Sequence, residues 1–148
     1  MSVLSAPPEP ARASDWRQIV ALLHAAGLPT SDLAPEHAAR FLIVRQPGGV
    51  AGCVAVEDYG EWGLLRSLAV ARDARGQGLG GRLAEAALEG ARRDGMAHLA
   101  LLTNTAEAFF LARGWQRVPR EAVPEAVRQS TEFCGSCCAS AVCLTREV

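Results

Sequence analysis

Apolar and polar residues alternate in several distinct rhythms along the chain. Trp16, Ile19, Leu22 and Leu23 recur at steps of three and four. This predicts a helix through Ala26, N-capped by Ser14 or Asp15 and stopped by Gly27. The Pro- and Ala-rich dozen residues before it read as a frayed, flexible end or a first edge strand. Three β-type runs follow a loop: Phe41 to Arg45, Val50 to Glu57 and Trp62 to Val70. Turns at Gln46-Pro47-Gly48-Gly49 and Asp58-Tyr59-Gly60-Glu61 separate them, which makes an antiparallel meander. The next amphipathic stretch reaches Arg93 and ends at Gly95. At 100° per residue, Leu79, Leu83, Ala84, Ala87, Leu88 and Ala91 share one face. Arg82, Glu85, Glu89, Arg92 and Arg93 share the other, so this helix lies on a sheet.

His98 to Thr103 is apolar without alternation, as in a strand covered on both faces. A second helix in "TAEAFFLARG" ends at Gly114. A short strand "WQRV", a turn with one or two helical turns in "PREAVPEAVRQ", and a closing strand "SAVCLTREV" complete the chain. The expected class is mixed α/β: one central sheet with helices on both faces, in a single domain of 148 residues.

Composition narrows the function by exclusion. Net charge is −1, and every basic residue is Arg. Nothing in that balance suggests nucleic acid as a partner. No apolar run reaches the ~18–20 residues of a membrane span. The N-terminus lacks a charged head followed by an apolar run, so a cytoplasmic, reducing location is expected. Five cysteines, an odd number, do not form a disulfide framework there.

The chemistry concentrates in "DARGQGLGGRLAEAAL", where four glycines fall within six residues at the mouth of a helix. A helix N-terminus carries unpaired N–H groups and partial positive charge. Glycines with positive φ turn neighbouring N–H groups into a concave anion site. The loop is thus suited to phosphate, with Arg75 adding a full charge. A tight connection is the plain alternative. A P-loop needs a Lys that this chain lacks. The dinucleotide pattern G-x-G-x-x-G is matched by Gly76, Gly78 and Gly81 in letters only, because the segment follows a meander.

Arg75-Gly76-Gln77-Gly78-Leu79-Gly80 resembles the R/Q-x-x-G-x-G/A pyrophosphate loop of the GNAT superfamily of acetyl-CoA-dependent N-acetyltransferases. "LLRSLAV" before it and "NTAEAFFLARGW" after it are similar to that family's neighbouring elements. Within the family, "LLTNTAEAFFLARGWQRVPREAVPEAVRQSTEF" with "SAVCL" resembles the arsenic-resistance-associated acetyltransferases. It is more distantly similar to amino-acid acetyltransferases of the N-acetylglutamate synthase type.

The resemblance implies a meander followed by a splayed parallel pair, and acetyl transfer from a thioester to a small-molecule amine. It implies coenzyme contacts at Leu68, Ala69 and Val70, at the loop Arg75, Gly76, Gln77, Gly78, Leu79, Gly80 and Gly81, and at Asn104, Ala106, Phe109 and Phe110. The N–H of Leu68 or Val70 would face the thioester carbonyl, with Ser67 beside them. A homodimer through the last strands is a family habit. Two departures stand out. Phe110 occupies the position where the family often has a proton-donating Tyr, leaving Ser67, Thr103, water or unaided departure of the thiolate. No Asp or Glu lies within Trp62 to Val70, so a base would come from Glu57, Glu61 or Glu132, or be water-linked. Each of those three also reads as a solvated strand-end or loop carboxylate.

Arg66 interrupts an apolar strand. It reads as a grip on an acceptor carboxylate, or as a salt bridge on an exposed sheet face. Arg128 invites the same substrate role. Cys134, Cys137, Cys138 and Cys143 would suit a soft metal or trivalent arsenic, but the spacing lacks a second C-x-x-C pair, and no metal is expected. Cys53 and Cys143 read as core residues of their strands. His24, His37 and His98 share no spacing. Two other functions stay open on the same fold: a peptide or protein acetyltransferase, and a non-catalytic sensor of coenzyme or metalloid.

Overall fold

A computed structural model describes residues 6–134, with Cys134 by its backbone alone, and residues 140–148. The strands are β1 (Glu9–Pro10), β2 (Phe41–Gln46), β3 (Gly49–Tyr59), β4 (Trp62–Val70), β5 (His98–Thr103), β6 (Gln116–Val118) and β7 (Val142–Glu147). They form one mixed sheet in the order β1-β2-β3-β4-β5-β7-β6. The helices are α1 (Trp16–Ala25), α2 (Leu79–Arg93), α3 (Glu107–Leu111), α4 (Glu125–Arg128) and α5 (Thr131–Cys134). The chain divides into two compact units, Met1–Val56 with Ser67–Ala87, and Glu57–Arg66 with Leu88–Val148.

In the first unit, Ile19, Leu22 and Leu23 of α1 pack with Phe41, Ile43, Val50, Cys53, Ala55 and Ala69. Trp16 meets Phe41 edge-on at 5.8 Å. The expected α1 stripe is therefore the buried one, but its cap differs. Asp15 stands at the N-cap position without a side-chain cap bond. Its carboxylate instead accepts from the Arg12 N–H at 2.7 Å and from Arg45 Nη2 at 2.5 Å. The carboxylate thus serves the 3-10 turn before α1 and a charge partner thirty residues away, not the N–H groups of α1.

Of the described residues in the N-terminal stretch, Glu9 and Pro10 form an edge strand. Glu9 and Pro10 pair antiparallel with Ile43 and Leu42, and Glu9 also pairs with Arg45. Pro suits an edge because it leaves no ladder donor unmet. β3 is longer than expected at both ends, leaving Pro47–Gly48 and Gly60–Glu61 as the turns. Gly60 has φ +89°, and its N–H donates to Asp58 Oδ1 at 2.8 Å, an Asx turn.

Leu79, Leu83, Ala84 and Ala87 of α2 are buried, as their spacing predicts. Gly52 permits the close approach of that helix. A Cβ there would lie 2.8 Å from Leu83 Cδ1 and 3.3 Å from the Ala69 carbonyl oxygen.

In the second unit, β5 runs parallel to β4 over Trp62, Gly63 and Leu64, and antiparallel to β7 along its whole length. β6 pairs with the other edge of β7. Leu64, Ala100, Val123, Val127, Phe133 and Cys143 form the core. The end of α2 follows the expectation. Gly95, at φ +83°, donates to the Arg92 carbonyl, and Met96 donates to that of Ala91. α5 is an element the periodicity does not reveal, because a single turn is too short to show one. Ser130 Oγ accepts from the Phe133 N–H at 3.4 Å and so starts it. Among the described residues, no helix is long and apolar enough to cross a membrane.

Candidate active site

β4 changes character at Ser67. Among the described residues it is the non-glycine residue with positive φ, at 60°. A left-handed conformation costs a non-glycine residue ~1–2 kcal/mol, and such strain gathers at functional positions. Arg66 and Ser67 are both buried, and the inward-outward alternation resumes with Leu68 half-buried, Ala69 buried and Val70 half-buried. The Ser67 carbonyl accepts from Cys53 Sγ at 3.4 Å. Cys53 is sealed in the core, and burial pushes its thiol up to about 12. Cys143, buried on β7, is pushed up to about 11 by the same cause, with Arg120 opposing. Both thiols are core residues, as their strand positions predict.

After Val70, the Ala71 N–H donates to the Ala51 carbonyl at 2.7 Å, and a 3-10 turn follows at Arg72–Ala74. Gly76 and Gly78 then have φ +79° and +78°, with no heavy atom within 4 Å of a Cβ built on either. Glycine is needed here for backbone conformation, not for space. The Gly78 carbonyl accepts from the Arg82 N–H at 3.2 Å and so opens α2. The N–H groups of Leu79, Gly80 and Gly81 are the ones a helix start leaves without intrahelical partners.

The loop is shorter than the run Gly76–Gly81 suggests. Gly80 and Gly81 are residues of the first helical turn, and the αL turns are confined to Gly76 and Gly78. The Leu79 side chain is core, so only its backbone N–H faces this role. Gln77 is exposed, and exposed Arg75 donates from Nε to the Val70 carbonyl at 3.2 Å. Ser67 through Gly81 thus forms one contiguous group in the first unit.

The remaining candidates lie in the second unit. Asn104 is exposed, and its Oδ1 accepts from Ser140 Oγ at 3.2 Å. Thr103 Oγ1 accepts from the Ala106 N–H at 2.9 Å, a bond that turns the chain into α3. Ala106 and Phe109 are half-buried, and the Arg113 guanidinium lies 3.8 Å over the Phe109 ring. Phe110 is core. It is 4% exposed and meets Phe109 and Trp115 edge-on at 4.9 and 5.3 Å.

Arg66 is neither open to a ligand nor on an exposed face. Its side chain is 2% exposed, with Nη1 3.2 Å from Glu57 Oε2 and Nε 3.6 Å from Glu132 Oε2. Tyr59 donates to Glu57 Oε1 at 2.8 Å. Glu57 and Glu132 are therefore partnered and largely buried, not solvated strand-end or loop carboxylates. Glu61 is exposed at the turn. Arg128 is exposed, with Nε donating to the Val123 carbonyl at 2.8 Å.

Sequence reasoning missed the strain at Ser67, for which serine carries no signal. It also missed Tyr59, although Glu57 and Tyr59 sit two apart on one face of a strand. The histidines have separate surroundings. His24 bonds Thr30, His37 accepts from the Ala34 N–H, and His98 stacks on Trp62 at 4.5 Å. Cys137, Cys138 and the Cys134 side chain lie outside the described residues.

The family described as acetyltransferase (GNAT) domain matches residues 37–117, more than half of the chain. The chain belongs to that family. It is 35% identical over 97 residues to an amino-acid acetyltransferase of Neisseria meningitidis serogroup A. That match covers 64% of this chain and 22% of the relative, so the chain spans about a fifth of the length of the curated relatives it matches. Among solved structures it is similar to N-acetylglutamate synthase from Neisseria gonorrhoeae complexed with coenzyme A and N-acetyl-glutamate. The TM-score is 0.82 at 26% identity, covering 95% of this chain and 34% of that one. Rv2747 from Mycobacterium tuberculosis, solved with CoA and NLQ, superposes with TM-score 0.82 at 22% identity, covering 97% and 99%. At that identity the likeness is one of fold.

Proposed function

We propose that the chain acts as one acetyltransferase domain that moves the acetyl group of acetyl-CoA to the primary amine of a small, amino-acid-like substrate. The observation that carries this is the pair Gly76 and Gly78, both with positive φ, opening onto the first turn of α2. Successive N–H groups there form a ready site for the coenzyme pyrophosphate. Their open surroundings fit a bulky anion. Leu68, Ala69 and Val70 offer strand backbone to the pantetheine arm. In this reading the N–H of Leu68 or Val70, set by the strained Ser67, polarises the thioester carbonyl as charge develops on its oxygen. Most of the acceleration comes from holding amine and thioester together.

The acceptor class rests on the relatives' names and on Arg128, a fork-shaped donor suited to a carboxylate. A role in resistance to arsenic or toxic analogues rests on the sequence resemblance alone. The relatives matched here are named amino-acid acetyltransferases.

The test is calorimetric titration with acetyl-CoA, followed by free-thiol release against amino acids, amino-phosphonates and arsenical analogues. Binding with turnover on one class supports the proposal and names the acceptor. Binding without turnover favours a sensor or a peptide acceptor. No binding removes the proposal.

A further inference from the structure

The sheet face that carries the core of the second unit ends in an open pocket, and strand register decides which side chains meet there. Trp62 on β4 lies beside His98 on β5, and His98 lies opposite Glu147 on β7. Thr145, two residues before Glu147, lies opposite Gln116 on β6. Side chains directly across a ladder share a face, as do residues two apart on one strand. Trp62, His98, Gln116, Thr145 and Glu147 therefore converge from four strands. They line a pocket of about 420 Å³, all of it within the second unit. Sites for small molecules usually measure about 300–1,000 Å³, so the size suits one.

The lining combines an aromatic wall with polar groups that the fold has not used. The Trp62 and His98 rings stack at 4.5 Å with 23° between their planes, and both residues are half-buried. The side chains of Gln116, Thr145 and Glu147 make no hydrogen bond or ion pair among the described residues. The Arg146 guanidinium is committed by contrast. Its Nε donates to the Arg113 carbonyl at 3.0 Å, and its Nη1 donates to the Glu147 carbonyl at 2.8 Å. It closes the pocket beside Gly114, where a Cβ would lie 3.3 Å from that Nε. Arg146 and Glu147 balance in charge, so the lining favours a neutral ligand over an ion.

We propose that this pocket binds a neutral, planar heteroaromatic ring with adjacent N–H donors on one edge, the chemistry of a guanine-type base. The ring face extends the Trp62–His98 stack, an arrangement that gains energy beyond the area it buries. The N–H edge meets Glu147, whose two carboxylate oxygens accept in parallel. Gln116 and Thr145 can each donate and accept, and so match the carbonyl and nitrogen atoms elsewhere on the ring. A cationic ligand would suit Glu147 but would face the Arg146 charge across the same pocket. The inference is independent of the acetyltransfer reading, because it stands on other residues and is read by binding alone.

The test is calorimetric titration of the full chain with guanosine and with inosine, which lacks the 2-amino donor beside the ring N–H. Guanosine should bind once per chain with a Kd between about 10 μM and 1 mM. Inosine should bind at least about fivefold more weakly. Glu147→Gln keeps the shape of the side chain but offers one acceptor oxygen in place of two, so it should erase that gap. His98→Ala removes one ring of the stack and should weaken both nucleosides alike.

A wild type that binds neither nucleoside would overturn the inference. So would a Glu147→Gln variant that keeps the wild-type preference for guanosine, because the base would then sit elsewhere on the chain. Glu147 is exposed and its replacement leaves the core untouched, so this variant decides the matter even if His98→Ala does not fold.

Discussion

Replacing Gly78 by Gln and by Glu separates the conformation of the loop from its electrostatics. Gly78 has φ +78° and no heavy atom within 4 Å of a built Cβ. Either side chain therefore fits, and both variants carry the same left-handed penalty of ~1–2 kcal/mol. In a chain of this size that lowers the melting temperature by roughly 2–8 °C, equally for the two. They differ by one negative charge at the proposed pyrophosphate site. Two like charges ~4 Å apart repel by about 1 kcal/mol in water, and by about 4 kcal/mol at an effective dielectric of 20. The Glu variant should then bind CoA between roughly fivefold and a thousandfold more weakly than the Gln variant. The gap should narrow in salt. Isothermal titration with CoA measures it, and pantetheine, which has no phosphate, is the control and should show no gap. Equal CoA affinities for the two variants would refute the anion-site assignment.

Three further outcomes are expected. Gly52→Ala should destabilise the fold by ~1–3 kcal/mol, because its Cβ would meet Leu83 at 2.8 Å and the Ala69 carbonyl at 3.3 Å; chemical denaturation reads the change. Stability should fall as pH rises from about 9 towards about 12, since unfolding frees the Cys53 thiol to ionise where the folded chain keeps it protonated. The fall should be shallower in Cys53→Ala, with Cys143, raised to about 11, still contributing, and native Cys53 should resist alkylation at pH 8. Arg128→Ala should raise KM for a carboxylate-bearing acceptor and spare acetyl-CoA affinity, and an unchanged KM would return Arg128 to its bond with the Val123 carbonyl.

What the chain determines by itself is local. The three-to-four spacing of Leu79, Leu83, Ala84 and Ala87 decides which face of α2 is buried. Trp62–Val70 and His98–Thr103 are strands at their expected bounds. Gly76 and Gly78 are legible because a turn with positive φ selects glycine within a few residues. The same spelling does not separate the two turn glycines from Gly80 and Gly81, which lie in the first helical turn, since glycine alone does not mark where that turn begins.

Tertiary structure decides what depends on partners far along the chain. Asp15 reads as the α1 cap, but its carboxylate pairs with Arg45 thirty residues on, and Glu9 becomes an edge strand because β2 is there to pair with. Arg66 looks like a ligand grip until Glu132, sixty-six residues on, is brought to 3.6 Å. Gly52 looks like any glycine until Leu83 packs over it. Periodicity records which face of an element is covered but not what covers it. A buried charge takes its meaning from its partners, and only the folded chain supplies them.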